Sequence, residues 1–346
     1  MNAPARSRAA TAALVASFAA GTLIACGDEA TGPEGPPVAP PCTAADSLCM
    51  ERLPLGAARY LPVYRTHSLT TGDGAVEHAV IVVHGTDRNA DTYFVTMVEA
   101  LRAAGALART IVVSPDFQMK EDGPTPDEPW WSNEGWKRGD LSASDSPLER
   151  ISSFATVDTL LRVLADRSRF PRLRNIVVTG HSAGGQFTHR YAGASPFAEA
   201  LGGLPVRFVV ANPSTYLWLG PERPSEDLFA RPDTTACPEW NDWPYGLADR
   251  NTYARGVGDD GIRVPLATRD VRILVGDADT LTANLDMSCP ANLQGRRRYD
   301  RGRSLVRFMD VYFPGHGHRE SVVPGMGHSS QSMYGSPAGK AALTVW

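Results

Sequence analysis

The chain has 346 residues, 42% of them hydrophobic and 21% charged, which is the composition of a globular protein able to bury a sizeable core. A formal net charge of -4 lacks the basic footprint that nucleic-acid binding needs, so no nucleic-acid partner is expected. Length alone leaves one large domain or two ordinary ones open.

In chain order, residues 1–25 read as a targeting segment. Arg6 and Arg8 form a positive head, and Ala9 to Ala25 is an uncharged stretch of small apolar residues, short for a bilayer span. It ends Leu23-Ile24-Ala25-Cys26, which resembles the lipobox of bacterial lipoproteins. That resemblance implies cleavage before Cys26, a lipid on its sulfur, export, and attachment to a bacterial membrane. Gly27 after the cysteine points to the outer membrane. Residues 26–48 are rich in Pro and Gly and suit a tether, with the folded domain expected over 49–346.

If Cys26 carries lipid, Cys42, Cys49, Cys237 and Cys289 remain, an even number that reads as disulfides in an exported protein. Three connectivities are possible. Cys42–Cys49 with Cys237–Cys289 is favoured, because each pair staples one irregular segment. No CxxC spacing occurs, and no metal site is expected.

From there the chain alternates β-branched runs with helical spacing, the pattern of a mostly parallel sheet flanked by helices. Strands are expected at 79–83, 110–114, 175–179, 207–211 and 271–275, with a last short one at 321–323. Helices are expected over 91–104 and 151–164, where apolar residues recur every three or four positions. Two intervals are too long for simple connections. Residues 116–147 hold Trp130, Trp131 and Trp136; residues 213–269 hold Trp218, Trp240 and Trp243, and are expected to form a lid. Both follow strands and should gather at the carboxyl edge of the sheet, where ligands of such folds bind. The tryptophans should pack the lid down, and some should line an apolar acyl or aromatic pocket.

The most informative stretch is Gly180-His181-Ser182-Ala183-Gly184, placed between a buried strand and a helix. A serine on so sharp a turn has a strained backbone, and the two glycines leave room where strand and helix approach. The segment resembles the nucleophile elbow of the α/β-hydrolases. Three further stretches follow that family's order: His84-Gly85-Thr86, Gly276 to Asp279, and Gly327-His328. The resemblance covers about residues 60–346 and implies the α/β-hydrolase fold.

It also implies roles. Ser182 would be the nucleophile, His328 its base, and Asp279 the acid that orients the histidine, with Asp277 and Asp286 as alternatives to Asp279. The backbone N–H groups of Ala183 and Thr86 would hold the oxyanion. His316 and His318 compete with His328 but are expected to face solvent ahead of the last strand. His181 reads as a filler within the elbow.

Trp136-Lys137-Arg138-Gly139, Asp242-Trp243-Pro244-Tyr245-Gly246, and Gln294-Gly295 with Arg298 and Arg301 look like a secreted carboxylesterase-type subgroup. Polyhydroxyalkanoate depolymerases and feruloyl esterases share that architecture. Arg296, Arg297 and Arg298 read as a solvated helix or lid face. The expected reaction is hydrolysis of a small-molecule or polymeric carboxylic ester through an acyl-Ser182 intermediate, without a cofactor. The alternatives are a peptidase, amidase or thioesterase on the same residues, and a catalytically silent surface binding module.

Overall fold

The structure, a computed structural model, describes residues 40–345 apart from 199 and 227. The targeting segment, Cys26 and most of the tether lie outside the described residues. Among those described, no helix is long and apolar enough to cross a membrane.

Ten strands and nine α-helices follow one another among the described residues. The strands are β1 (Met50–Gly56), β2 (Arg59–Arg65), β3 (His78–Val83), β4 (Thr110–Pro115), β5 (Asn175–His181), β6 (Val206–Ala211), β7 (Arg223–Pro224), β8 (Phe229–Ala230), β9 (Asp270–Gly276) and β10 (His318–Val323). The helices are α1 (Ala90–Ala103), α2 (Ser153–Ala165), α3 (Ala183–Ala194), α4 (Thr252–Val257), α5 (Asp259–Thr268), α6 (Cys289–Asn292), α7 (Arg298–Tyr312), α8 (Ser330–Gly335) and α9 (Pro337–Thr344).

Eight strands form one sheet in the order β1-β2-β4-β3-β5-β6-β9-β10. β1 and β2 pair antiparallel, β2 joins β4 antiparallel, and all later neighbours are parallel. The central strands are apolar without interruption because both sheet faces are covered. Alternation sorts their side chains. Ala79, Ile81, Val83, Ile176 and Val178 face a core shared with α2, α3, α5 and α7. Val80, Val82, Val112 and Val177 face the opposite core, with α1, α8 and α9.

Parts of the interval 213–269, expected as a lid, pack into this body. Leu217 and Trp218 belong to the first core, and Ile262 and Leu266 of α5 pack on α3. A Cβ added at Gly193 of α3 would lie 3.2 Å from Ile262 and 3.3 Å from Leu266. Apolar residues on one face of α5 account for this packing, because that face must be buried.

The chain is tied to the sheet before the expected boundary at Cys49. The Cys42 N–H donates to Thr66 O at 2.8 Å, and a disulfide joins Cys42 to Cys49. The second disulfide joins Cys237 to Cys289, as favoured from the sequence. Closing a loop of 52 residues, it stabilises the fold by roughly 4 kcal/mol on the chain-entropy model.

Candidate active site

Ser182 stands between the end of β5 and the start of α3, with φ 59° and ψ -119°. A non-glycine residue there is strained, and the surroundings hold it in place. Its N–H donates to Ala211 O of the neighbouring strand at 3.0 Å. The flanking glycines are required by close approach rather than by flexibility. A Cβ on Gly180 would come within 2.3 Å of Gly184 O, and one on Gly184 within 2.2 Å of Val83 O.

β9 ends at Gly276 and β10 at Val323, and the loops after them bring Asp279 and His328 to this serine. His328 Nδ1 lies 2.7 Å from Asp279 Oδ2, and His328 Nε2 lies 2.9 Å from Ser182 Oγ. An ionised carboxylate only accepts, so Nδ1 carries the proton and Nε2 is left to accept from the serine hydroxyl. Asp279 is 0% exposed and Ser182 8%, whereas the imidazole retains partial access to solvent.

Burying Asp279 demands compensation. Arg298, also 0% exposed, provides it, with its guanidinium 3.4 Å from Asp279 Oδ1. The same guanidinium donates to Leu281 O at 3.0 Å and Ala283 O at 2.9 Å, so it also ties down the loop that carries the acid. The expectation of a solvated face for Arg298 is overturned. It shares one face of α7 with the buried Arg301, Leu305 and Phe308, at spacings of three and four residues.

The alternatives to Asp279 sit elsewhere. Asp277 is exposed and accepts the Gly325 N–H at 2.6 Å, bracing the turn before His328. Asp286 accepts the Tyr245 hydroxyl at 2.7 Å. His316 and His318 do not face solvent: both are buried. His316 pairs with Asp310 at 3.0 Å, and His318 packs against the rings of His189 and His316. His318 opens β10 beside Val271 of β9, which carries it inward.

His181 is more than a filler. Its ring lies 4.5 Å from that of His328, and its Nδ1 lies 3.3 Å from the Tyr93 hydroxyl of α1. Burial holds its pKa well below the ordinary value, so it supports the second imidazole as a neutral ring. The signal for it was its place inside the elbow, facing a helix with an aromatic of its own.

Thr86 follows β3 and lines one cavity of about 360 Å³ together with Ser182 and His328. Ala183 opens α3, so its N–H has no acceptor within the helix. The loop bearing Thr86 is held by His84, whose Nδ1 meets Gly85 O at 2.9 Å while Phe117 N–H donates to its Nε2 at 3.0 Å. Burial pushes the His84 pKa down to about 4, which keeps Nε2 free to accept.

The tryptophans expected to line an apolar pocket do not reach the cavity around Ser182. Trp131, Trp136, Trp218, Trp240 and Trp243 are buried in the body, and none lines the cavity around Ser182. Trp218 packs on Phe308 at 4.7 Å and Trp136 on His84 at 4.7 Å. Large rings buy more free energy in a core than at a wet cleft.

The alpha/beta hydrolase family model matches residues 80–338, three quarters of the sequence, and its span takes in the serine, the aspartate and the histidine. The chain belongs to the alpha/beta hydrolase family. This hydrolase is similar in fold to LpqC, a poly(3-hydroxybutyrate) depolymerase from Bordetella parapertussis, with a TM-score of 0.58 and 23% identity over 84% of this chain and 88% of that one. It is similar also to poly(aspartic acid) hydrolase-1 from Sphingomonas sp. KT-1, with a TM-score of 0.59 and 22% identity over 86% of this chain and 97% of that one. At such identities the likeness is one of fold. No curated protein sequence matches the hydrolase significantly.

Proposed function

We propose that this hydrolase is a serine esterase in which Ser182, His328 and Asp279 act as one unit. The reading rests on the hydrogen-bonded chain from Ser182 Oγ through the His328 ring to the buried Asp279 carboxylate. Ser182 Oγ attacks the ester carbonyl carbon as its proton passes to His328 Nε2. Asp279 stabilises the imidazolium so formed without taking its proton. The carbonyl oxygen becomes an oxyanion, which the N–H groups of Ala183 and Thr86 receive. When the tetrahedral adduct collapses, the alcohol leaves with the proton from Nε2 and the acyl group stays on Ser182. Water then attacks the acyl carbon, giving a proton to Nε2, and Ser182 departs reprotonated with release of the acid. Ester and water become acid and alcohol, with no other reactant.

A fluorophosphonate probe should label the parent on Ser182 and leave folded Ser182→Ala unlabelled. Ser182→Ala and His328→Ala should each lower ester turnover by several orders of magnitude, and the double variant should be scarcely worse than either. Full turnover by folded Ser182→Ala would end this reading.

A further inference from the structure

The cleft has a second arm. Thr86 and Asn284 line both the cavity that holds Ser182 and His328 and an adjoining one of about 410 Å³. The adjoining arm is walled by Glu134, Lys137, Arg138, Gln186, Tyr245 and Asp286, and among its lining residues only Leu285 is aliphatic.

Stretches that the catalytic residues leave unexplained build this arm. Lys137 and Arg138 come from the Trp136 to Gly139 segment, and the Trp243 indole N–H donates to Arg138 O at 2.9 Å. Tyr245, two residues on, donates its hydroxyl to Asp286 at 2.7 Å. The buried Arg301 donates to Asp286 O at 2.9 Å and Ser214 O at 2.7 Å. Three segments far apart in sequence thus converge on one polar wall.

The charges on that wall are matched. Glu134 takes Lys137 at 2.6 Å and Arg138 at 2.7 Å, one on each carboxylate oxygen. Asp286 adds a second carboxylate beside the two cations. A carboxylate tail entering the arm would find Lys137 and Arg138 already paired with Glu134 and a second acid, Asp286, on the same wall. An aliphatic chain would strip water from these groups and return no hydrogen bonds, which is costly for every group left unpaired. Hydroxyls both donate and accept, which is what a wall of mixed amides, acids and cations requires.

The orientation follows from proton delivery. The leaving alcohol takes its proton from His328, so it lies on the side that His328, Ser329 and Ser330 line. The second arm begins at Thr86 and is not lined by His328, which leaves it for the acyl half. We infer that the arm walled by Lys137, Glu134, Tyr245 and Asp286 is an acyl subsite for a neutral, hydroxyl-rich acyl chain. The inference rests on the esterase reading.

The test compares methyl gluconate, methyl hexanoate and monomethyl adipate, which have equal chain length and one leaving group, by proton release at constant pH. The parent should prefer methyl gluconate over each of the others by at least tenfold in kcat/KM. Lys137→Met should shrink that preference at least threefold. Tyr245→Phe, which removes only a hydroxyl, should shrink it in the same direction and guards against a misfolded first variant. Preference for methyl hexanoate or monomethyl adipate, equal rates on all three, a preference untouched by both variants, or activity confined to p-nitrophenyl acetate would overturn the subsite. In those cases fluorophosphonate labelling of Ser182 would leave the esterase reading standing. Absence of both labelling and hydrolysis would remove the esterase reading, and the subsite with it.

Discussion

At the scale of single residues, two aspartates two positions apart are placed very differently. Asp279 reaches His328 at 2.7 Å and has Arg298 at 3.4 Å on its other oxygen, whereas Asp277, two residues earlier, is exposed and braces Gly325. Asp279→Asn keeps the shape but offers the wrong partner to Nδ1–H, and is expected to lower kcat by about three to four orders of magnitude. Asp277→Asn retains an oxygen to accept from Gly325 and should stay within about threefold of the parent, since an exposed substitution of this kind changes little. Steady-state kinetics on one ester decide it, and equal losses in the two variants would sink the choice of acid. In the sequence, Asp279 was indicated only by the family resemblance, with Asp277 and Asp286 beside it as alternatives. Arg298 was misread because three consecutive arginines look solvated, although the spacing of Arg298, Arg301, Leu305 and Phe308 already marked one helix face.

At the scale of elements, the close crossing of β3, β5 and α3 sets the position of the nucleophile. Gly184 is the contact point, since a Cβ there would sit 2.2 Å from Val83 O and 2.6 Å from His84 O. Both partners are backbone atoms of the strand end that carries Thr86, and neither has room to retreat. Gly184→Ala should therefore destabilise the fold by about 3 kcal/mol, as overpacking does, and displace Ser182 from the Thr86 loop. Urea unfolding and turnover measured on the same sample should both fall. A variant with parent stability would show the elbow to be more yielding than the contact implies. The glycine was legible from the motif, but the atoms it avoids belong to a strand about a hundred residues away.

Over the whole molecule, the buried histidines make stability depend on pH. Burial pushes His318 down to about 3 and His84 to about 4, and holds His181 and His189 well below the ordinary value of 6.5. The unfolded chain binds protons on these rings near pH 6.5, so it gains protons that the fold refuses as the pH drops. Their contribution is complete above about 6.5 and is lost as pH falls toward 4, with a slope of roughly 1.4 kcal/mol per pH unit for each histidine. Asp116 works in the opposite sense, because burial raises it from 3.8 to about 7 and favours the fold at lower pH. Asp158, Asp242 and Glu320 are raised by burial in the same sense but less far. The four histidines outweigh these acids, so Tm followed by circular dichroism should drop steadily between about pH 6.5 and 4.5. His318→Gln should flatten that slope. A Tm constant over this range would show that the buried rings do not govern acid stability.

The sequence by itself determined the fold class and the parallel strands β3, β4, β5, β6, β9 and β10, because each is carried by local pattern. The family resemblance pointed to Ser182, Asp279 and His328, while the antiparallel β1 and β2 went unread. Continuous apolar runs mark strands covered on both faces, and a glycine-flanked serine between strand and helix marks the elbow. The favoured cysteine pairs also match the disulfides. Only the tertiary structure decided what surrounds the site. It packed Leu217, Trp218, Ile262 and Leu266 into the core, drew the tryptophans inward, and turned Arg298, Arg301, His316 and His318 into buried groups. It also joined Lys137, Tyr245 and Asp286 into one polar arm beside Ser182. The reason is physical: side-chain type and spacing are written locally, whereas burial and charge pairing depend on which distant segments meet.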